Sequence, residues 1–303
     1  DYAVRMAKLR SLSQAVVVQQ AHFVTAEQRV TWENYTLQND QWAQESLQIQ
    51  QQDKNYKGVK RFNYTTFLPD GVIHSYKGPS EGPGPFLPTW QSAPVVPVFS
   101  TYNWDALAYT SVSDAMDELM GPKHAVISKV SNMAYLDNPV SIAESNAAID
   151  YIKDFIDPQE DPTEPFSVIN FPILDTAADT VTMTPYDRKY NSTVVGLFTM
   201  MFFWRDLIKN QLPVGSDGTM VVFENACDQV FTYQINGPNV LYLGRGDHHD
   251  PKYDYLEEQF SFDELAKLSS IGKAYTGLPL SGRGSSCHYS LRIYPSATLE
   301  SLH

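Results

Sequence analysis

The chain has 303 residues, of which 35 are acidic and 22 are basic, so its formal net charge is −13 at pH 7. An acidic surface repels phosphate, and we therefore exclude nucleic acid as an expected partner. The length allows two lobes or one large domain, and either can bury a core. The longest apolar run, residues 194–204, is too short to span a bilayer and predicts a buried strand.

Residues 1–56 are predicted to form a helical segment. The apolar residues near the start recur at spacings of three and four, which places them on one helix face: Met6, Leu9, Leu12, Val16 and Val17. A second, long helix is predicted to begin at Thr25, where "TAEQ" offers a capping box, and to run through residue 52. We expect this helix to pack on a sheet, and a coiled-coil interface is the alternative.

Residues 57–157 are predicted to form a first, looser lobe. A hairpin is expected around the turn Pro69-Asp70-Gly71, followed by a loop rich in glycine and proline and an edge strand, "APVVPVFS". A short helix near residues 113–120, a strand "AVISKVSNM" and a capped helix "SIAESNAAIDYIKDFI" complete it. The acidic, proline-rich residues 157–165 then mark the boundary to the next lobe.

Residues 166–303 are predicted to form a second lobe. Two strands, "FSVINFPIL" and "TVVGLFTMMFF", precede the helix "WRDLIKNQ", and three more strands follow in "TMVVFEN", "QVFTYQI" and "VLYLG". A helix capped by Ser261 and Glu264 and a closing strand "HYSLRIYPS" end the lobe. One helix, an antiparallel run of three strands and a closing strand are the layout of a PAS-like lobe. The predicted fold class is α+β, with two such lobes after the helical segment.

The two cysteines and three sequons indicate an oxidising compartment. Cys227 and Cys287 lack the CxxC spacing of zinc or redox sites, and we expect a disulfide, with two buried thiols as the alternative. Sequons for N-glycosylation occur at Asn34, Asn63 and Asn191. Because the chain starts at Asp1, we expect a processed or partial chain, secreted or on the extracellular face of a membrane.

Four blocks of sequence resemble one family. They are "RVTWENYTLQNDQWAQESL" from Arg29, "GPGPFLPTWQSAPV" from Gly82, "VVGLFTMMFFWRDLIKNQLPVGSDGTMVVFENACDQVFTYQINGPNVLYLGRGDHHDPKYD" from Val194 and "CHYSLRIYPS" from Cys287. In this order they resemble the extracellular sensor region of receptor-type adenylate and guanylate cyclases of diatoms and related algae, which is similar to CHASE and Cache sensors.

The resemblance implies a ligand-sensing domain of a membrane receptor, tethered through segments outside these residues and acting in signal transduction. Its partners would be a small-molecule ligand or a protein, and the chain itself would form a homo-oligomer. The family's cyclase core does not occur within the chain, so any phosphorus–oxygen lyase activity would lie elsewhere. A cell-surface structural or assembly glycoprotein that uses the same fold for protein contacts is the alternative.

The resemblance also implies a ligand pocket between the sheet of the second lobe and the helices that cross it. The residues expected to line it are Tyr186, Trp204, Arg205, Phe231, Tyr233 and Tyr253. Aromatic walls with one cation suit a small organic anion or amine. The alternative is that Trp204 and Phe231 are ordinary core residues.

The stretch "YLGRGDHHDPKYD", residues 242–254, is predicted to be a structural turn. Gly244 and Gly246 allow the tight backbone, while Asp247 and Asp250 accept backbone N–H groups. A metal site at Asp247, His249 and Asp250 is the alternative, because carboxylates and imidazole share divalent ions. The embedded Arg-Gly-Asp tripeptide is interpreted as incidental rather than adhesive.

Catalytic motifs find little support in the sequence. It has no Walker loop and no Cys–His dyad once both cysteines are bridged. We therefore expect no enzyme activity and no cofactor within this chain.

Overall fold

The computed structural model describes residues 2–43, 45, 48, 71–75, 78–93, 103–108, 110–113, 115–121, 123, 125–130, 164–175, 192–209, 212–214, 217–261 and 287–300. Over these residues the protein is a mixed fold dominated by two antiparallel five-stranded sheets. Its helices are short, and within the described ranges none is long and apolar enough to cross a membrane.

The strands of the described ranges are numbered in chain order. They are β1 Val17–His22, β2 His74–Ser75, β3 Gly78–Pro79, β4 Thr89–Ala93, β5 Val126–Ile127, β6 Phe166–Leu174, β7 Val194–Phe203, β8 Asp217–Asn225, β9 Gln229–Asn236, β10 Asn239–Arg245, β11 Glu258–Ser261 and β12 Tyr289–Pro295.

The helices between them are numbered in the same way. They are α1 Tyr2–Ser13, α2 Arg29–Gln38, α3 Thr110–Ser113, α4 Met116–Met120, α5 Trp204–Ile208 and α6 Ala297–Glu300, with 3₁₀ helices at Ala106–Ala108 and Pro251–Leu256.

Sheet 1 has the strand order β4-β1-β7-β6-β5 and takes strands from all three predicted segments. Its centre is tightly built, because a Cβ on Gly196 of β7 would lie 2.2 Å from the Ala21 carbonyl oxygen of β1. Only glycine permits this approach of two backbones. Strands β6 and β7 cover the apolar runs from which they were predicted.

The long N-terminal helix is not present in the described residues, which corrects the sequence prediction. Val16 and Val17 do not continue α1: that helix ends at Ser13, Gln14 has a φ of +57°, and β1 follows. A run of β-branched valines favours a strand, where χ1 restriction carries no penalty. The Thr25–Gln28 capping box does form, but α2 ends at Gln38.

Sheet 2 has the order β10-β9-β8-β12-β11. The strands β8, β9, β10 and β12 match the predicted run of three and the closing strand, whereas β11 was not predicted. Alternation gives the sheet two apolar faces, one with Phe223 and Tyr233 and the other with Val222 and Tyr294. The predicted helix after Ser261 and the helix over residues 141–156 lie outside the described residues.

The predicted disulfide between Cys227 and Cys287 is present. It links the turn between β8 and β9 to the residues just before β12, across a sequence separation of 60. Both cysteines border the core between the two sheets. The bridge therefore ties the start of the closing strand to the middle of sheet 2.

Candidate functional site

The two sheets meet in one apolar core, here named the inter-sheet core. Its buried members come from the end of β7, from α5 and from one face of sheet 2: Phe202, Trp204, Val221, Phe223, Phe231, Tyr233, Ile235, Cys287 and Tyr289. Ile127 of β5 and Ile169 of β6 pack against it from sheet 1. The predicted pocket residues of the second lobe are found here.

The aromatic residues predicted to wall a pocket are packed against one another. Trp204 and Tyr233 are 0% exposed and Phe231 is 2% exposed. The ring centroids of Trp204 and Phe231 are 5.6 Å apart, and those of Phe231 and Tyr233 are 6.0 Å apart, both nearly edge to face. This geometry contributes to core stability, so these rings act as core residues in the state described.

A buried ion pair lies beside these rings. Arg205 of α5 bonds Glu164 at 2.9 Å between Nη2 and Oε2, and the Glu164 side chain is only 2% exposed. Glu164 precedes β6, so the pair joins the start of one strand of sheet 1 to the helix that follows β7. Removing a carboxylate from water costs several kcal/mol, which is on the order of the electrostatic attraction that its partner provides.

The Tyr233 hydroxyl is the second polar group of this region. It is buried and has no hydrogen-bond partner among the described residues. Burial and the nearby charge of Glu164 raise the pKa of Tyr233 well above its ordinary value, so the hydroxyl stays protonated. An unmade hydrogen bond in the interior costs about 1–3 kcal/mol.

Several other polar side chains around the inter-sheet core make hydrogen bonds. Trp204 Nε1 donates to Ser167 Oγ at 3.0 Å, and the Tyr289 hydroxyl donates to the Ser128 carbonyl at 2.7 Å. The Gln229 side chain bonds both the N–H and the carbonyl of Val130. These bonds connect sheet 2 to β6 and to the segment after β5, and they make Tyr233 an exception.

The structure brings together four of the six predicted pocket residues: Trp204, Arg205, Phe231 and Tyr233. Tyr253 is buried elsewhere, in the 3₁₀ helix after β10, with the Lys252 ammonium 4.6 Å from its ring centroid. Tyr186 lies outside the described residues. Sequence reasoning missed Glu164, because an acidic residue in a proline-rich stretch resembles a solvated linker.

The turn residues of the stretch 242–254 lie where tight backbone is needed. Gly244 and Gly246 have φ values of +128° and +92°, which disfavour side chains. Asp247 accepts from the His249 N–H at 3.2 Å, and Asp250 accepts from the Lys252 N–H at 3.1 Å.

The alternative metal set is not arranged around one point. Both nitrogens of His249 contact carboxylates, Nδ1 that of Asp247 and Nε2 that of Asp254 at 2.7 Å. Asp250 faces Lys252 at 3.8 Å instead. No cluster of three or more metal-ligating side chains occurs in the part of the chain that the structure describes.

Of the three sequons, the structure describes one. Asn34 is exposed on α2, while Asn63 and Asn191 lie outside the described ranges. The sequon's Thr36 is fully buried, and its hydroxyl donates to the Glu33 carbonyl at 2.9 Å.

Comparisons with protein-family models and with curated proteins give no match to this chain.

Proposed function

We propose that the chain is the extracellular ligand-sensing region of a membrane receptor that resembles the receptor-type nucleotide cyclases. The resemblance of the four sequence blocks supports this proposal, as does the disulfide, which is typical of an oxidising compartment. In this proposal residues 166–303 are the second PAS-like lobe, whose described part comprises β6, β7, α5 and sheet 2. The catalytic domain of such a receptor would lie outside the chain.

The buried polar group made by Glu164, Arg205 and Tyr233 is the observation that carries the proposal. A compact core is more stable without a buried ion pair and a hydroxyl that lacks a partner. Such groups are typical of sites whose hydrogen bonds are completed by a ligand. A ligand acceptor atom that reaches the Tyr233 hydroxyl would supply the missing bond.

The charges of this group favour some ligands over others. Glu164 already neutralises Arg205, so an anion would have to compete with Glu164. An amine would compete with Arg205 for Glu164 in the same way, but the aromatic rings beside the pair also attract a cation. A small organic amine is therefore the favoured ligand class, and a small organic acid is the second.

The position of the group suggests how binding would be transmitted. Glu164 precedes a strand of sheet 1, Arg205 is the second residue of α5, and Tyr233 belongs to sheet 2. A ligand that contacts all three would favour one relative arrangement of these elements. Signalling then requires that the ligand bind this arrangement more tightly than the other state.

A thermal-shift screen of the folded chain tests the proposal. Libraries of small organic amines, acids and neutral polar compounds would be compared, with hits retested on Tyr233→Phe and on the exposed control Tyr35→Phe. We expect hits mainly among amines, with a shift lost in Tyr233→Phe only. A screen without any hit would contradict the proposal.

Assembly through protein contacts is the second candidate function. It is favoured by α2, which exposes Val30 at 67%, Tyr35 at 48% and Leu37 at 48%. Val30 and Leu37 are seven residues apart and so share one face of α2. Apolar side chains exposed together are typical of contact surfaces. Sedimentation velocity on the wild type and on Val30→Glu tests this: an oligomer dissociated by the substitution supports assembly, and a monomer in both excludes it.

A further inference from the structure

Residues 246–257, here named the crossover segment, connect β10 at one edge of sheet 2 to β11 at the other. Between them lie β9, β8 and β12, whose face opposite the inter-sheet core carries Met220, Val222 and Tyr294. The segment begins with a tie to β9, because Thr232 Oγ1 donates to the Gly246 carbonyl at 2.7 Å. His249, Asp247 and Glu257 attach it to β12.

His249 lies flat on Tyr294, with ring centroids 3.9 Å apart and planes inclined by 4°. Its Nδ1 contacts the Asp247 carboxylate, and its Nε2 lies 2.7 Å from the Asp254 carboxylate. An ionised carboxylate only accepts hydrogen bonds, and a neutral imidazole has a single N–H. Both contacts are hydrogen bonds only when the ring carries two protons, so the arrangement is that of an imidazolium.

The groups around this ring form one charged network. Arg292 of β12 contacts Asp247 at 3.0 Å, Glu224 of β8 at 3.5 Å and Glu257 at 3.9 Å. The Tyr294 hydroxyl donates to Glu257 and accepts from Arg292. Four carboxylates, counting Asp254, thus face two cations, so loss of the imidazolium proton increases an excess of negative charge that the network already has.

The other charged groups of the crossover segment have partners of their own. Asp250 faces Lys252 at 3.8 Å, and His248 Nε2 contacts the Arg245 carbonyl at 2.7 Å. Because His248 contacts a carbonyl and not the two carboxylates, its substitution can serve as a control for substitution of His249.

We propose that His249 is a proton-operated latch that fastens the crossover segment to the outer face of sheet 2. With two ring protons it bonds Asp247 and Asp254 together above Tyr294. With one ring proton it bonds only one of them, and the other carboxylate loses its bond to the ring. The segment then loosens without unfolding the inter-sheet core, which lies on the opposite face. This inference does not depend on the proposed ligand site.

The direction of the pH dependence follows from two shifts. Desolvation lowers the pKa of His249, but the bonds and charges of Asp247 and Asp254 outweigh it, and the pKa is raised. Its stabilisation is complete below the ordinary histidine pKa of about 6.5 and is lost as pH rises through the higher folded value.

Asp247 limits the latch on the acid side. Desolvation raises its pKa, but the bonds from His249 and the charges of His249 and Arg292 lower it overall. Its contribution holds above the ordinary aspartate pKa of about 3.9 and is lost as pH falls through the lower folded value. The latch is therefore fully closed between about pH 4 and about pH 6.5.

Hydrogen–deuterium exchange on the whole chain, corrected for intrinsic rates, tests the latch. At about pH 8.5 we expect peptides covering residues 246–257 to lose protection by about tenfold or more relative to about pH 6, while β8 and β9 stay protected. His249→Gln should give low protection at both pH values. His248→Gln, the matched control, should keep the wild-type response.

A second variant keeps the test decisive if His249→Gln fails to fold. Asp254→Asn removes one carboxylate and keeps the ring, so NMR titration should show His249 losing its proton at lower pH than in the wild type. Equal protection of the wild type at both pH values would overturn the latch. A pH response retained in His249→Gln, or an unchanged titration in Asp254→Asn, would do the same.

Discussion

Two tyrosines of the inter-sheet core offer a matched pair of substitutions with opposite expected effects. Tyr233→Phe removes a buried hydroxyl that has no partner among the described residues. Tyr289→Phe removes a buried hydroxyl that donates to the Ser128 carbonyl at 2.7 Å. The change in atoms is the same, and both rings keep their packing, so the difference reports the hydrogen bonds of the Tyr289 hydroxyl, which also lies 3.3 Å from Ser167 Oγ.

The expected magnitudes follow from the cost of an unmade bond. Relief of an unsatisfied buried hydroxyl should raise the free energy of unfolding of Tyr233→Phe by about 1 kcal/mol, which corresponds to a rise of about 2–4 °C in Tm. Loss of the Tyr289 bond leaves a buried carbonyl without that donor and should lower it by about 1–3 kcal/mol. The two variants should therefore differ by about 2–4 kcal/mol.

Urea unfolding followed by tryptophan fluorescence measures both values, because the midpoint and slope give the free energy of unfolding. Equal destabilisation of Tyr233→Phe and Tyr289→Phe would contradict this expectation, since the Tyr233 hydroxyl would then have a partner. A stabilised Tyr233→Phe would show that the residue is retained at a cost to stability, as expected of a ligand-binding group.

Three further predictions use the same unfolding assay. Asn103→Ala should lower the free energy of unfolding by about 3–4 kcal/mol, because the Asn103 side chain makes three hydrogen bonds, two with α2 and one to the Gly71 carbonyl, and its φ of +57° is unfavourable for alanine. A loss below about 1 kcal/mol would contradict this account. Gly196→Ala should lower the free energy of unfolding by about 3 kcal/mol or more, because the added Cβ clashes with Ala21. If the variant were as stable as the wild type, β1 and β7 would not be so close. Reduction of the disulfide should lower stability by about 4 kcal/mol, given its separation of 60 residues, and no change on reduction would show that it is not formed.

The strands of sheet 2 were predictable because their pattern is local. Alternate residues of β8 and β9 point to opposite faces, and glycine, proline and polar residues separate the strands. Strand β7 was also predictable, together with its direct continuation into α5, because a long apolar run ended at Trp204. These signals need no knowledge of distant residues.

Strand β1 was missed because a short apolar run fits two periods. Val16 and Val17 extend the spacing of Leu9 and Leu12, yet β1 pairs with β4 and β7, from far along the chain. Pairing over such distances overrides local propensity. The same effect shortened α2, since its capping box defines a start but not an end.

The aromatic residues of the candidate site were predictable from the sequence, but the partner of Arg205 and the position of Tyr253 were not. Aromatic residues in apolar strands indicate a core or a pocket, but the sequence does not say that Glu164 reaches Arg205. Tyr253 was misplaced because the crossover segment lies on the face of sheet 2 opposite Tyr233. Sequence alone does not tell which face a connection covers.

Ligand binding at Glu164, Arg205 and Tyr233 is the central claim, and calorimetric titration tests it most directly. The compound with the largest thermal shift would be titrated into the wild type, Tyr233→Phe and the control Tyr35→Phe. The account predicts a dissociation constant about tenfold higher or more for Tyr233→Phe, equivalent to one lost hydrogen bond, and an unchanged value for Tyr35→Phe. Equal affinity in all three proteins would contradict it.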